Sequence, residues 1–106
     1  MSQTLLKILE LVDAENVRIS DHGYDELAND NLLLEEILAS INDSIVVEDY
    51  PDYHRGPCVL VLQKDSDGEP MHVLWGIPKG ADSPAVLITA YRPDQERWSE
   101  DYLRRK

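Results

Sequence analysis

A single cysteine, Cys58, is all the chain contains, which rules out an intrachain disulfide and fits a reducing cytosol. No basic side chain adjoins it in sequence to lower its pKa, so it is expected as a buried strand residue rather than a nucleophile. Long apolar runs are missing as well: nothing approaches the roughly 20 residues of a membrane span. The start, Met1-Ser2-Gln3-Thr4-Leu5-Leu6-Lys7, has neither the basic opening nor the small-residue cleavage site of a signal peptide. A cytoplasmic protein without membrane contact is the expectation. There is no phosphate-binding glycine loop, no dinucleotide glycine fingerprint, no Cys-x-x-Cys pair and no His-Glu-x-x-His zinc motif. The three histidines, His22, His54 and His72, are scattered. No cofactor and no metal are expected.

Positive charge is also scarce. The formal net charge is -11, and it is uneven. Residues 1–84 carry 5 Lys/Arg against 17 Asp/Glu, whereas residues 85–106 carry 5 against 4. Nucleic-acid affinity rests largely on Lys and Arg contacts to phosphates, so an acidic bulk disfavours RNA as a partner. The same charge keeps the protein soluble and offers a surface to a basic partner.

What is present in 106 residues is enough for one domain, 1–106, to bury a core without a metal or disulfide. Residues 4–13 place Leu5, Ile8, Leu9 and Val12 on one helical face, with Ser2 or Thr4 as cap. Residues 16–19 read as a short extended connector. Ser20 is placed to cap a second helix running to about Asn29, with Asp21, Asp25 and Glu26 suiting its dipole and Gly23 weakening it. A third helix, 32–41, is capped by Asp30 or Asn31. The period then changes from 3.6 to 2. Strands are predicted over 44–50, 58–64, 71–77 and 85–91, with a hairpin turn at Asp65-Ser66-Asp67-Gly68. A final amphipathic helix, capped by Asp94, turns Trp98, Tyr102 and Leu103 inward. Helices followed by a run of strands indicate an α+β fold: N-terminal helices packed on a four-stranded antiparallel meander, with a short C-terminal helix.

Four residues stand out as candidates for chemistry. His72 lies inside an apolar strand, sharing a face with Leu74 and Gly76, where the glycine leaves room for an approaching group. His22 lies in the first turn of a helix, between the opposing influences of the dipole and of Asp21 and Glu26. Tyr91 and Arg92 end the last strand, and an arginine there can hold a phosphate by two parallel bonds. Simple alternation puts Ala85, Leu87, Thr89 and Tyr91 on one face of that strand, and Val86, Ile88, Ala90 and Arg92 on the other. The competing reading of each is structural: a core histidine, a helix anchor, an arginine paired with one of many carboxylates. His54, between prolines in a loop, is expected to be solvated.

The runs Ile19-Ser20-Asp21-His22-Gly23-Tyr24-Asp25-Glu26-Leu27, Glu48-Asp49-Tyr50-Pro51 and Gly56-Pro57-Cys58-Val59-Leu60-Val61-Leu62-Gln63 resemble domain-of-unknown-function family 4258 of bacteria. So do Pro70-Met71-His72-Val73-Leu74-Trp75-Gly76-Ile77 and Thr89-Ala90-Tyr91-Arg92-Pro93-Asp94 with Trp98. The resemblance implies a place near the RelE-like toxins of toxin–antitoxin pairs, which cleave RNA without a metal, and a RelE/barnase-like plan. Arginines that many family members carry on the helix after the cap are absent, and Glu26 and Asn29 stand on that helix. Two functions follow. One is a non-catalytic or regulatory relative that binds a protein with a basic surface, such as an operon neighbour. The other is a metal-independent endoribonuclease with His72 or His22 as acid/base, Tyr91 assisting proton transfer and Arg92 stabilising the transition state. The open sheet edges and the terminal aromatic residues also allow a homodimer.

Overall fold

A computed structural model of the chain describes residues 2–106. Three helices, α1 (Gln3–Asp13), α2 (Asp21–Asn29) and α3 (Leu34–Ser40), pack on a five-stranded sheet of β1 (Val17–Ile19), β2 (Ile45–Tyr50), β3 (Cys58–Lys64), β4 (Pro70–Gly76) and β5 (Ala85–Tyr91). The strand order is β1-β5-β4-β3-β2. The class is α+β as expected, but the sheet has one strand more than the predicted meander. Residues 17–19 are that strand, running parallel to β5. No helix among the described residues is long and apolar enough to cross a membrane.

Local chemistry explains most of these elements. The Ser2 hydroxyl caps α1 by accepting from the Leu5 amide at 3.1 Å, and apolar spacing then sets Leu5 and Ile8 into the core. Ser20 caps α2, its hydroxyl accepting from the Gly23 amide at 2.9 Å while donating to the Ile88 carbonyl at 2.8 Å. One side chain thus starts a helix and ties it to β5. Gly23 is needed because a Cβ there would lie 2.9 Å from the Leu87 carbonyl oxygen; the cost in helix propensity is offset by close approach to the strand. The third helix begins later than predicted. Asn31 adopts a left-handed φ of 54°, and Leu33 occupies the cap position without any side-chain cap. Asp30 instead accepts from the Arg92 amide at 2.7 Å.

The helices cover one face of the sheet. Its core is built from Val59, Val61, Met71, Val73, Trp75 and Leu87, with Ile8 and Ile37 from the helices. Gln63 is buried among them. It donates to the Ile37 carbonyl at 2.7 Å and the Ser40 hydroxyl at 2.9 Å, and accepts from the Trp75 indole at 3.1 Å. A buried amide so fully bonded fixes α3 against β3 and β4.

Two bulges govern the other face. In β5 the partner of Leu74 is Thr89 and that of Trp75 is Leu87, so Ile88 is extra; in β2 the extra residue is Val47. A bulge shifts the two-residue alternation by one. Ala85, Leu87 and Ala90 therefore belong to the core, whereas Tyr91 pairs with His72 on the helix-free face. The simple alternation expected for β5 holds only as far as the bulge.

The predicted C-terminal helix is absent. Residues 98–105 form a tight loop closed by an antiparallel bridge between Trp98 and Arg105. Ser99 and Asp101 capture the amides of Arg104 and Leu103 at 3.2 and 3.1 Å, and Tyr102 is left-handed at φ 62°. Short polar side chains that bond the nearby backbone compete with helix formation. The segment instead lies as a strap across the helix-free face, where Trp98 is buried.

Candidate functional site

The strap divides the helix-free face into a sealed end and an open end. His72 lies at the sealed end and is 0% exposed. Its Nε2 is 2.8 Å from the Tyr102 carbonyl oxygen and its Nδ1 is 3.1 Å from the Tyr91 hydroxyl. A carbonyl only accepts, so Nε2 carries the proton, and Nδ1 accepts from Tyr91. The Trp98 ring packs edge-on at 4.4 Å. Burial pushes the His72 pKa below the ordinary histidine value, and the Tyr102 carbonyl pulls it back only in part. Burial likewise raises the Tyr91 phenol.

The strap is held from outside by Arg105. Its guanidinium lies 4.7 Å from the Trp98 ring centre and bonds both Glu48 carboxylate oxygens, at 2.8 and 3.0 Å. Arg105 accordingly holds the Glu48 carboxyl below its usual pKa.

His72 and Tyr91 are thus brought together, but Arg92 and His22 are not with them. Arg92 pairs with Asp65 at 2.8 Å and donates to the Pro70 carbonyl at 3.3 Å. The Glu69 amide, then Arg92, hold the Asp65 carboxyl below its usual pKa. This cluster ties the end of β5 to the β3–β4 turn. His22 is exposed on α2, with Nε2 3.6 Å from Glu26. His54 is exposed and its ring packs at a tilt against Tyr53. No group of three metal-ligating side chains occurs among the described residues.

The open end of the same face holds a cleft of about 460 Å³. Leu74, Gly76, Val86 and Ile88 floor it, and Tyr50, Tyr53, Arg18 and Arg55 rim it. Cys58, which also lines it, is buried, and burial raises its thiol pKa, as expected of a strand cysteine rather than a nucleophile. One wall depends on Gly56, at φ +119°, where a Cβ would lie 2.2 Å from the Ile77 carbonyl oxygen. A Cβ at Gly76 would lie 2.7 Å from the Ile88 Cδ1, so the room predicted on that face is taken up by Ile88, and His72 is 0% exposed.

A second hollow lies on the helical side, a groove of about 750 Å³. Leu9 and Val12 of α1 and Leu34 and Leu38 of α3 line it, with Asp13, Glu15, Arg18 and Tyr24 around them. Sequence reasoning missed both hollows. Arg18 and Arg55 carry no motif, and the groove arises because α1 and α3 stand apart.

No curated protein and no solved structure was found to match the chain. The model of a family described as a domain of unknown function, DUF4258, matches residues 19–92, so that most of the chain, from the last residue of β1 through β5, places the protein in that family.

Proposed function

We propose that the protein is a non-catalytic binding domain that keeps a RelE-like plan and receives a basic, amphipathic segment of another protein in its helical groove. The groove carries this reading. Apolar side chains of α1 and α3 line it, Asp13 and Glu15 edge it against the single cation Arg18, and residues 1–43 hold ten Asp/Glu against two Lys/Arg. Such a surface attracts cations and accepts the apolar stripe of a helix. The sealed position of His72, with both ring nitrogens bonded, supports the non-catalytic part, since a general acid/base must reach its substrate.

A lysine–leucine amphipathic peptide tests it against a glutamate–leucine peptide of the same pattern. The basic peptide is expected to bind, to weaken as salt is raised, and to weaken further with D13K/E15K. Equal binding of both peptides, or binding indifferent to salt, overturns the reading.

One observation favours the second reading, a metal-independent endoribonuclease: His72 and Tyr91 form a hydrogen-bonded pair on adjacent strands. RNA incubated with wild type and with His72→Ala, each with and without chelator, decides it. Cleavage by wild type alone supports the nuclease, and equal background ends it.

A further inference from the structure

We infer that the cleft on the helix-free sheet face is a binding site for a small arylalkyl carboxylate, a ligand distinct from the partner proposed for the helical groove. The first argument is charge. In a chain of net charge -11, the only charged side chains lining this cleft are two cations, Arg18 and Arg55. Neither takes part in any of the ion pairs or side-chain hydrogen bonds among the described residues; Lys7, Arg92 and Arg105 are each paired with a carboxylate, and the other unpaired cations do not line this cleft. Arginine holds carboxylates through a planar, bidentate fork. With 21 Asp/Glu in the chain, two arginines left free beside one cavity are available for an anion from outside.

The second argument is shape and lining. Leu74, Val86 and Ile88 offer an aliphatic floor and Tyr50 and Tyr53 an aromatic rim, so the anion must carry an apolar body. A volume of about 460 Å³ falls within the range of small-molecule sites, which are mostly apolar with a few placed polar groups. The cleft is short at one end: Leu74 lines it, while His72, two positions along the same strand, lies against Trp98. The strap thus blocks an extended chain from continuing along the face. Tyr50 is held in place by its bond to Glu48 at 2.8 Å, and that carboxylate is itself occupied by Arg105, so it does not compete for Arg18 or Arg55.

Cys58, the one thiol, lines the cleft; buried and with its pKa pushed up, it labels slowly, so labelling is followed at alkaline pH, where a bound ligand slows it further. The test uses 3-phenylpropionate, its amide and the corresponding amine. The readouts are protection of Cys58 from N-ethylmaleimide and NMR shifts of the Val86 and Ile88 methyl groups. The carboxylate is expected to bind at least about tenfold more tightly than the amide, as charge-assisted hydrogen bonds imply, with the amine weakest. R18Q/R55Q changes two exposed residues and should bring the carboxylate down to the level of the amide while leaving the amide unchanged. Equal binding of carboxylate and amide, a preference that survives in the double variant, or absence of both readouts for every probe overturns the inference. So does protection by a uridine hexanucleotide at lower concentration than the carboxylate, which assigns the cleft to RNA instead.

Discussion

The two hollows flank one sheet and differ in charge. The helical groove is edged by Asp13 and Glu15 together with Arg18, whereas the sheet-face cleft is rimmed by Arg55 and the shared Arg18, with no carboxylate in its lining. Their construction differs too. The groove is a gap between helices whose inner faces are fixed by the core, and a buried amide, Gln63, holds one wall. The cleft is a part of the sheet surface that the strap leaves uncovered, and backbone contact at Gly56 holds its wall. Net charge does not describe the cleft: a protein of charge -11 has one hollow edged by two carboxylates and an arginine and another whose charged lining is cationic.

The most disruptive way to separate the two hollows is Gly56→Ala. A methyl group 2.2 Å from the Ile77 carbonyl oxygen at φ +119° forces the loop apart, and a loss above about 3 kcal/mol is expected in urea unfolding. Protein that remains folded should lose carboxylate binding and keep peptide binding. Next is Gln63→Ala, which leaves the buried Trp75 indole N–H without its acceptor and opens a void beside α3. A loss of about 2–4 kcal/mol is expected, and here peptide binding in the groove should suffer first.

The sealed end of the sheet face is probed by pH. Burial lowers the folded-state pKa of His72 below its ordinary value of 6.5. The unfolded chain therefore binds the proton more readily, and the contribution of neutral His72 is complete above that value and is lost as pH falls through the lowered one. Wild type should lose stability relative to His72→Gln between about pH 7.5 and 5.5, by no more than about 1.4 kcal/mol per pH unit. Parallel profiles for the two proteins would mean that His72 does not titrate differently on folding. The smallest effect is expected from Arg105→Ala. Its side chain is 63% exposed, so the change should cost under about 1 kcal/mol. Faster maleimide labelling of Cys58 would show that loosening the strap also loosens the cleft.

Much of this was legible in the sequence where the chemistry is local. Ser20 announces a helix cap, since its acceptor oxygen serves an amide three residues on. Asp65-Ser66-Asp67-Gly68 announces a turn, with Gly68 at φ +79°. The apolar spacing of α1 and the continuous run of β3 mark buried elements. His72 showed its position in an apolar strand, but not that Tyr102, thirty residues on, supplies the carbonyl for its Nε2.

What was not legible depends on distant partners. Three residues, Val17–Ile19, become a strand only because β5 offers its edge. The bulge at Ile88 leaves no mark in composition, yet it moves Tyr91 onto the same face as His72. Trp98 and Tyr102 stand four apart, as on a helix, but Ser99 and Asp101 bind the backbone amides that a helix would need. Arg18 and Arg55 are far apart in sequence and share a site only after folding.

The edges of the sheet have a consequence for behaviour at high concentration. An exposed strand edge is a template on which another chain can add. Here one edge, β1, is only three residues long and includes an arginine. The other, β2, is interrupted at Val47 and continues through Glu48 and Asp49. Neither offers a long, flat, uncharged row of free amides and carbonyls. Strand-by-strand growth into larger assemblies is disfavoured at both ends by geometry and charge together, and a second copy that met this protein would have to meet it through side chains.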